Sequence, residues 1–264
     1  MLSRLENNIH QGYCEELITL LPNDFVDLVV TSPPYNVDLG NNKHNKNSYD
    51  VYDDSIDYTK YIEWLQTIFG LLKPKMVHGG RVCINIGDKS NGRIPTHSDI
   101  IQFMTKQLKY LLKSTIIWRK NQIGNRTAWG SFKSPSNPSF PTPFEYIIIF
   151  CNDSQQKKGD SENITVTKDQ FVENSLAIWS FAPERSMNKE FKHPAMFPVE
   201  LPYRLIQQLS YRKDLVLDIF SGMGTTCLAA AQLERRWMGF ELSEDYVERS
   251  RDRINKYLDQ ERTF

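Results

Sequence analysis

Leu215-Val216-Leu217-Asp218-Ile219-Phe220-Ser221-Gly222-Met223-Gly224-Thr225-Thr226 is the stretch that decides the fold. Its first six residues read as a buried strand, and the paired glycines turn the chain into a helix predicted over Cys227 to Leu233. Trp237-Met238-Gly239-Phe240 is the next strand and ends in Glu241. Glycines at the carboxyl end of a strand let the backbone approach a ligand closely, where the following helix also points its N-terminus. Glu241 lies 19 residues beyond Gly222, the distance at which an acid can accept from the two hydroxyls of a ribose. Gly-x-Gly alone is weak; strand, turn, helix, strand and acid in that order are much stronger. Asp218 adds a carboxylate suited to a cationic or amino-bearing ligand, and it also reads as a local cap of the glycine turn. Glu241 has the same second reading, a helix-capping acid.

A second signal stands far upstream. Phe25-Val26-Asp27-Leu28-Val29-Val30 reads as a strand, and Thr31-Ser32-Pro33-Pro34-Tyr35 follows it. The double proline forces an extended, rigid loop that presents a hydroxyl, a prolyl carbonyl and an aromatic ring together. Two prolines also remove two backbone donors, leaving carbonyls to accept from a ligand that bears an amino group. By itself such a strand end is equally well a plain turn.

Between these signals, strands and helices alternate. Asn8 to Gly12 reads as a strand, Glu15 to Leu21 as a short helix, and Asn36 to Asp57 as a long polar loop of the kind that binds or covers a ligand. Ile56 to Leu72 has helical spacing, Arg81 to Gly87 is a central strand, and Ser98 to Leu111 is a predicted helix. Ser114 to Trp118 and Phe144 to Phe150 are further strands, this last pair plausibly antiparallel; Val199 to Leu209 is a helix. Strands separated by helices of this length imply a mainly parallel sheet covered on both faces.

The chain of 264 residues carries 32 basic and 32 acidic residues, so a polyanionic partner must be met by a local patch. Ile101 to Pro138 contains Lys106, Lys109, Lys113, Arg119, Lys120, Arg126 and Lys133 with no acid, which suits a phosphate-contacting face or a solvated basic surface. Cys14, Cys83, Cys151 and Cys227 lack metal-ligand spacing and read as reduced structural thiols of a cytosolic protein. The N-terminus has no apolar signal core and no run reaches membrane-spanning length, so no membrane partner is expected.

Both signals together resemble the DNA amino-methyltransferases that use S-adenosylmethionine, in the permuted, beta-type order where the catalytic motif, here Thr31 to Tyr35, precedes the cofactor motif, here Asp218 to Thr226. His193-Pro194-Ala195-Met196-Phe197-Pro198 resembles the family's extra cofactor-side motif, and Asn125 to Ser131 and Phe144-Glu145-Tyr146 resemble its late catalytic segments. The resemblance implies a circularly permuted, Rossmann-like α/β fold: a mixed seven-stranded sheet with helices on both faces and a small recognition insertion. Residues 1–153 would form the catalytic part, 154–192 the insertion and 193–264 the cofactor-binding part. It implies that Asp218, Phe220, Gly222, Gly224, Thr225, Thr226, Glu241, His193, Pro194 and Phe197 hold S-adenosylmethionine, with no metal. The family commonly has Asp after the first strand's glycine; this chain has Tyr13, so the adenine amino group needs a backbone acceptor or another side chain such as Glu15.

Serine at the first position of the catalytic tetrapeptide resembles the cytosine-N4 enzymes; Asp or Asn there mostly marks adenine-N6 enzymes. Ser32 and the Pro33 carbonyl would hold the amine, Pro34 would stiffen the loop and Tyr35 would stack on a base flipped out of duplex DNA. Arg119, Lys120, Arg126 and Lys133 would contact phosphates, while sequence reading would fall to Asn36–Asp57 and about Ser154–Lys192. Trp129 and Trp179 suit base stacking but read better as core. The likeness further implies a companion restriction endonuclease, a possible homodimer and a prokaryotic cytoplasm. Other readings are the same fold acting on adenine N6, an RNA or protein amino or amide methyltransferase, and a non-enzymatic DNA-binding module. The motif loops lack the clustered carboxylates of a metal-dependent nuclease.

Overall fold

The computed structural model describes residues 5–36, 56–121, 128–184 and 196–261. Eight strands form one sheet in the order β1-β8-β7-β2-β3-β5-β4-β6. They are β1 Asn8–Gln11, β2 Val26–Thr31, β3 Met76–Ile86, β4 Leu111–Lys120, β5 Phe144–Cys151, β6 Ile178–Phe181, β7 Leu215–Asp218 and β8 Arg236–Glu241. β1, β8, β7, β2 and β3 run parallel, β5 is antiparallel to both β3 and β4, and β6 is parallel to β4. Buried on both faces, β2 and β7 are near-continuous apolar runs, the pattern of parallel strands covered by helices.

The helices are α1 Cys14–Thr19, α2 Tyr58–Leu72, α3 Thr96–Gln102, α4 Lys168–Asn174, α5 Glu200–Leu209, α6 Thr225–Gln232 and α7 Glu244–Glu261. One face of the sheet packs against α1, α2 and α3 through Ile18, Leu65, Ile68, Phe69 and Ile100. The other packs against α5, α6 and α7 through Leu201, Leu205, Leu228, Ala229, Val247 and Ile254. Burying side chains of this size contributes about 1.5–3 kcal/mol each. At the start of α2 the Asp57 carboxylate accepts from the Thr59 and Lys60 amides at 3.0 and 3.2 Å, capping the first turn.

The mixed Rossmann-like sheet expected from the sequence is present, with one strand more than seven. That strand is β6: Trp179 is buried against the sheet while Ile178 is exposed, and four residues are too few to show a period. The helix predicted over Ser98–Leu111 is shorter. After α3 the chain makes a π turn over Phe103–Gln107, passes Lys109 at φ 60°, and has already entered β4 at Leu111 to pair with Cys151. α7 is not among the predicted helices, although its buried Tyr246, Val247, Ser250 and Ile254 recur at helical spacing among charged residues. Most of the polar loop after Asn36 lies outside the described residues.

Residues 154–184 are anchored to the body rather than held apart from it. Lys157 Nζ is buried between Asp27 Oδ1 at 3.0 Å and Asp214 Oδ2 at 2.6 Å. Arg204 of α5 lies 5.7 Å from the Trp179 ring and 5.3 Å from Phe181, and it pairs with Glu173 of α4 at 2.6 Å. Trp179 is part of the core, as the sequence suggests.

Candidate active site

β2 and β7 are parallel neighbours, with Leu28 opposite Val216 and Val29 opposite Leu217, so the Ser-Pro-Pro-Tyr loop and the glycine turn leave the sheet side by side at the same end. Two side-chain links join them. Thr31 Oγ1 donates to Asp218 Oδ1 at 2.6 Å, and Thr226 Oγ1 donates to the Val30 carbonyl at 3.2 Å. Asp218, 1% exposed, also accepts from the Phe220 amide at 3.1 Å, and Thr226 gives its single hydroxyl proton either to Asp218 or to the Val30 carbonyl. Burial pushes its pKa up from 3.8 to about 6; the bonds from Thr31, Thr226 and Phe220 oppose this, and the charge of Glu241 adds to it.

Gly222 and Gly224 have φ of 49° and 69°, the left-handed region. Gly224 precedes the first residue of α6, and a Cβ there would lie 3.0 Å from both Ile9 Cδ1 and Ser250 Cβ, so the turn needs glycine on both counts. Glu241 Oε2 accepts from the Gly222 amide at 2.8 Å and Oε1 from the Ser243 amide at 2.9 Å. The carboxylate is thereby fixed at the end of β8, and a carboxylate oxygen accepts more than one hydrogen bond. Nearby, the Phe220 ring lies 5.5 Å from that of Trp64, whose indole donates to Glu15 Oε1 at 2.5 Å. Glu15, the alternative acceptor to the missing family Asp, thus stands beside this aromatic pair, while Tyr13 is 58% exposed. Phe197 packs against the α5–α6 side of the core. His193 and Pro194 lie outside the described residues.

The Ser-Pro-Pro-Tyr loop is held by a chain of polar contacts. Ser32 Oγ donates to the Tyr35 hydroxyl at 3.2 Å or to the Asn85 carbonyl at 3.1 Å. The Tyr35 hydroxyl donates to Glu145 Oε2 at 3.0 Å and accepts from Asn85 Nδ2 at 2.8 Å; Asn85 Nδ2 also reaches Glu145 Oε2 at 2.9 Å. Lys120 Nζ pairs with Glu145 Oε1. A Cβ on Gly87 would meet Tyr35 Cε2 at 3.3 Å and Glu145 Cγ at 3.5 Å, so a small residue at the end of β3 admits the ring. Pro33 is buried, and Ser32, Pro34 and Tyr35 are half-buried.

Of the basic residues, Arg119 and Lys133 are exposed, and Arg126 lies outside the described residues. Lys120 instead faces Glu145, an internal partner that a reading by charge alone does not find. Asn85 and Glu145 were the unassigned members of the site. Their signal is in the sequence: each is the polar residue within an apolar run, Val82-Cys83-Ile84-Asn85-Ile86 and Phe144-Glu145-Tyr146-Ile147-Ile148. Burial raises the pKa of the Cys83 and Cys227 thiols. Among the described residues no group of three or more His, Cys, Asp or Glu side chains is arranged to hold a metal ion.

The family model of the N6 and N4 DNA methylases matches residues 26–252, spanning both motif loops and the strands that carry them. The chain belongs to the permuted DNA amino-methyltransferases that use S-adenosylmethionine. It is similar to the type II methyltransferase M.MjaVI of Methanocaldococcus jannaschii, 36% identical over 177 residues, covering 66% of this chain and 85% of that one. To M.MjaI of the same organism it is 30% identical over 254 residues, covering 85% and 83%. The structure of TTHA0409 from Thermus thermophilus complexed with S-adenosyl-L-methionine superposes with a TM-score of 0.73 at 27% identity, covering 94% of this chain and 95% of that one. PvuII DNA methyltransferase, described as cytosine-N4-specific, shares the fold at 19% identity and a TM-score of 0.67. S-adenosylmethionine is the cofactor of this methyltransferase. The glycine turn, the fixed Glu241 carboxylate and the buried Asp218 fit such a group, because they place acceptors and a close backbone approach at one strand end.

Proposed function

We propose that this methyltransferase acts on the exocyclic N4 amine of a cytosine flipped out of duplex DNA. The observation that carries the reading is Ser32: a neutral, half-buried hydroxyl at the end of β2, tied through Thr31 and Asp218 to the cofactor turn. A serine hydroxyl is not a useful base near neutrality, but its oxygen accepts from an N–H. The amine's lone pair is conjugated with the ring, and two acceptors, Ser32 Oγ and the Pro33 carbonyl, would hold both N–H groups, pyramidalise the nitrogen and direct its lone pair, withdrawn from the ring π system, toward the methyl. The cofactor supplies an electrophilic methyl. What the chain contributes is alignment: Ser32 and Pro33 place the nitrogen, Glu241 and the glycine turn place the cofactor, and Tyr35 covers the base. In direct displacement the N–C bond would form as the methyl–sulfur bond breaks, S-adenosylhomocysteine would leave, and the methylated amine would pass one N–H proton to solvent water; no cysteine nucleophile is used, in keeping with the raised thiol pKa values.

Exposed Arg119 and Lys133 would contact phosphates, and residues 154–192 would help to read the site. A companion restriction endonuclease, a homodimer and a cytoplasmic, DNA-associated location accord with this role. The test is transfer of labelled methyl from S-adenosylmethionine to unmethylated duplex DNA, followed by nucleoside analysis. N4-methylcytosine is expected. N6-methyladenine would retain the fold and cofactor but refute the serine argument for cytosine.

A further inference from the structure

Glu145 is a buried acid, 8% exposed, in a strand that is otherwise largely apolar, and its position at the site asks for a use. Three donors converge on its carboxylate: Lys120 Nζ on Oε1, and Asn85 Nδ2 and the Tyr35 hydroxyl on Oε2. The ammonium has only protons to give, so the carboxylate acts as an acceptor throughout. The Tyr35 proton therefore points at Glu145, and the Tyr35 oxygen has only lone pairs left, one of them taken by Asn85 Nδ2 at 2.8 Å. Ser32 then finds acceptors on the protein side, the Tyr35 oxygen and the Asn85 carbonyl, and its single proton goes to one of them.

We propose that Glu145 is a positioning residue that fixes the direction of these hydrogen bonds, so that Ser32 Oγ meets the target base only as an acceptor. The inference rests on the reading that Ser32 holds the target amine, and it adds a source of selectivity. A serine free to rotate would donate to a carbonyl as readily as it accepts from an amine. With its proton committed inward, Ser32 welcomes an amine and repels a carbonyl. Lys120 takes part by keeping Glu145 an acceptor, and its role is inward rather than toward a phosphate.

The labelled-transfer experiment first identifies the methylated base and its site. Wild-type protein, saturated with S-adenosylhomocysteine, is then titrated with three duplexes that differ at the target base only: exocyclic amine, hydrogen, or carbonyl. For a cytosine target these are cytosine, 2-pyrimidinone and uracil; for an adenine target, adenine, purine and hypoxanthine. The expected order of affinity is amine, then hydrogen, then carbonyl, with the first and last at least tenfold apart. Carbonyl bound as tightly as hydrogen, or tighter, overturns the proposal.

Glu145→Gln puts an amide among three donors and frees the Tyr35 proton to turn onto Ser32 Oγ, where it competes with the target amine for that oxygen even though the Asn85 carbonyl still takes the Ser32 proton. It should shrink the amine-over-carbonyl ratio at least tenfold while leaving cofactor affinity, measured by calorimetry, within twofold. Tyr35→Phe leaves Ser32 only the Asn85 carbonyl to donate to, so the ratio should survive although kcat falls. Glu145→Asp, which restores a carboxylate, should recover part of the ratio and stands in should Glu145→Gln not fold. Equal loss of the ratio in Glu145→Gln and Tyr35→Phe would show a packing role and overturn the proposal. No label in any DNA base, with cofactor still bound, would overturn the functional reading and this inference together; label with a flat affinity series overturns the inference alone.

Discussion

Replacing Asp218 by Asn should change how stability depends on pH more than it changes stability itself. Asp218 is 1% exposed, and burial raises its pKa from 3.8 to about 6. A carboxyl so displaced carries about 3 kcal/mol of unfavourable ionisation once fully charged in the fold. Because the folded value lies above the unfolded one, the favourable contribution is complete below about pH 4 and is lost as pH rises through about 6. The variant keeps the acceptor for Thr31 Oγ1 and the Phe220 amide, which share Oδ1, and never ionises. Urea unfolding followed by tryptophan fluorescence, run from pH 4 to pH 8 without cofactor, isolates the effect. All other titrating groups are common to both proteins and cancel in the difference. The stability of wild type minus that of Asp218→Asn should fall by about 2.5 kcal/mol across this range, most of it between pH 4 and 7. A difference that stays level within about 0.5 kcal/mol would refute the assignment of a raised pKa to Asp218.

Gly224→Ala should cost about 2 kcal/mol or more in urea unfolding, since φ is 69° and the new methyl would meet Ile9 and Ser250, whereas Gly130→Ala, with nothing within 4 Å, should be neutral. Lys157→Met should cost about 3 kcal/mol, because it leaves the half-buried Asp27 and Asp214 without their shared cation and only Arg236, 3.9 Å from Asp27, close by. Little loss for this variant would show that the loop is not pinned there. Glu241→Gln replaces one of two acceptor oxygens that hold Gly222 and Ser243, and calorimetry should show S-adenosylmethionine binding weakened at least tenfold; unchanged affinity would remove Glu241 from the cofactor site.

What was legible in the sequence is what local chemistry dictates. The glycine turn reads directly because left-handed backbone at Gly222 and Gly224 leaves few residue choices, and β2 and β7 read because strands buried on both faces must be apolar along their length. Long-range pairing was not legible. β6 has four residues and takes its place through its parallel pairing with β4 and through Trp179, Phe181 and the Arg204 side chain of a distant helix. α7 is mostly charged, and its few buried positions gain meaning only once β1 and α6 lie beneath it. The partner of Lys120 was not legible for a related reason: a lysine in a basic stretch looks outward until the facing strand is known to carry Glu145.

The two signals sit nearly 190 positions apart in the chain, yet Thr31 Oγ1 and Asp218 Oδ1 are 2.6 Å apart in the core. That contact explains why their order along the chain can be permuted without loss. A ligand at the carboxyl end of a parallel sheet is sensitive to which strands are neighbours, and β2 lies beside β7 whichever comes first. β1 completes the argument: it is the first strand of the chain, pairs with β8 from Asn8 opposite Met238 to Gln11 opposite Glu241, and so closes the cofactor half from the opposite terminus. On the proposed reading, binding of the cofactor and placement of the target amine are properties of one junction. A change at Thr31 should alter both, and a change at Glu145, on the far side of Ser32, should alter the second alone.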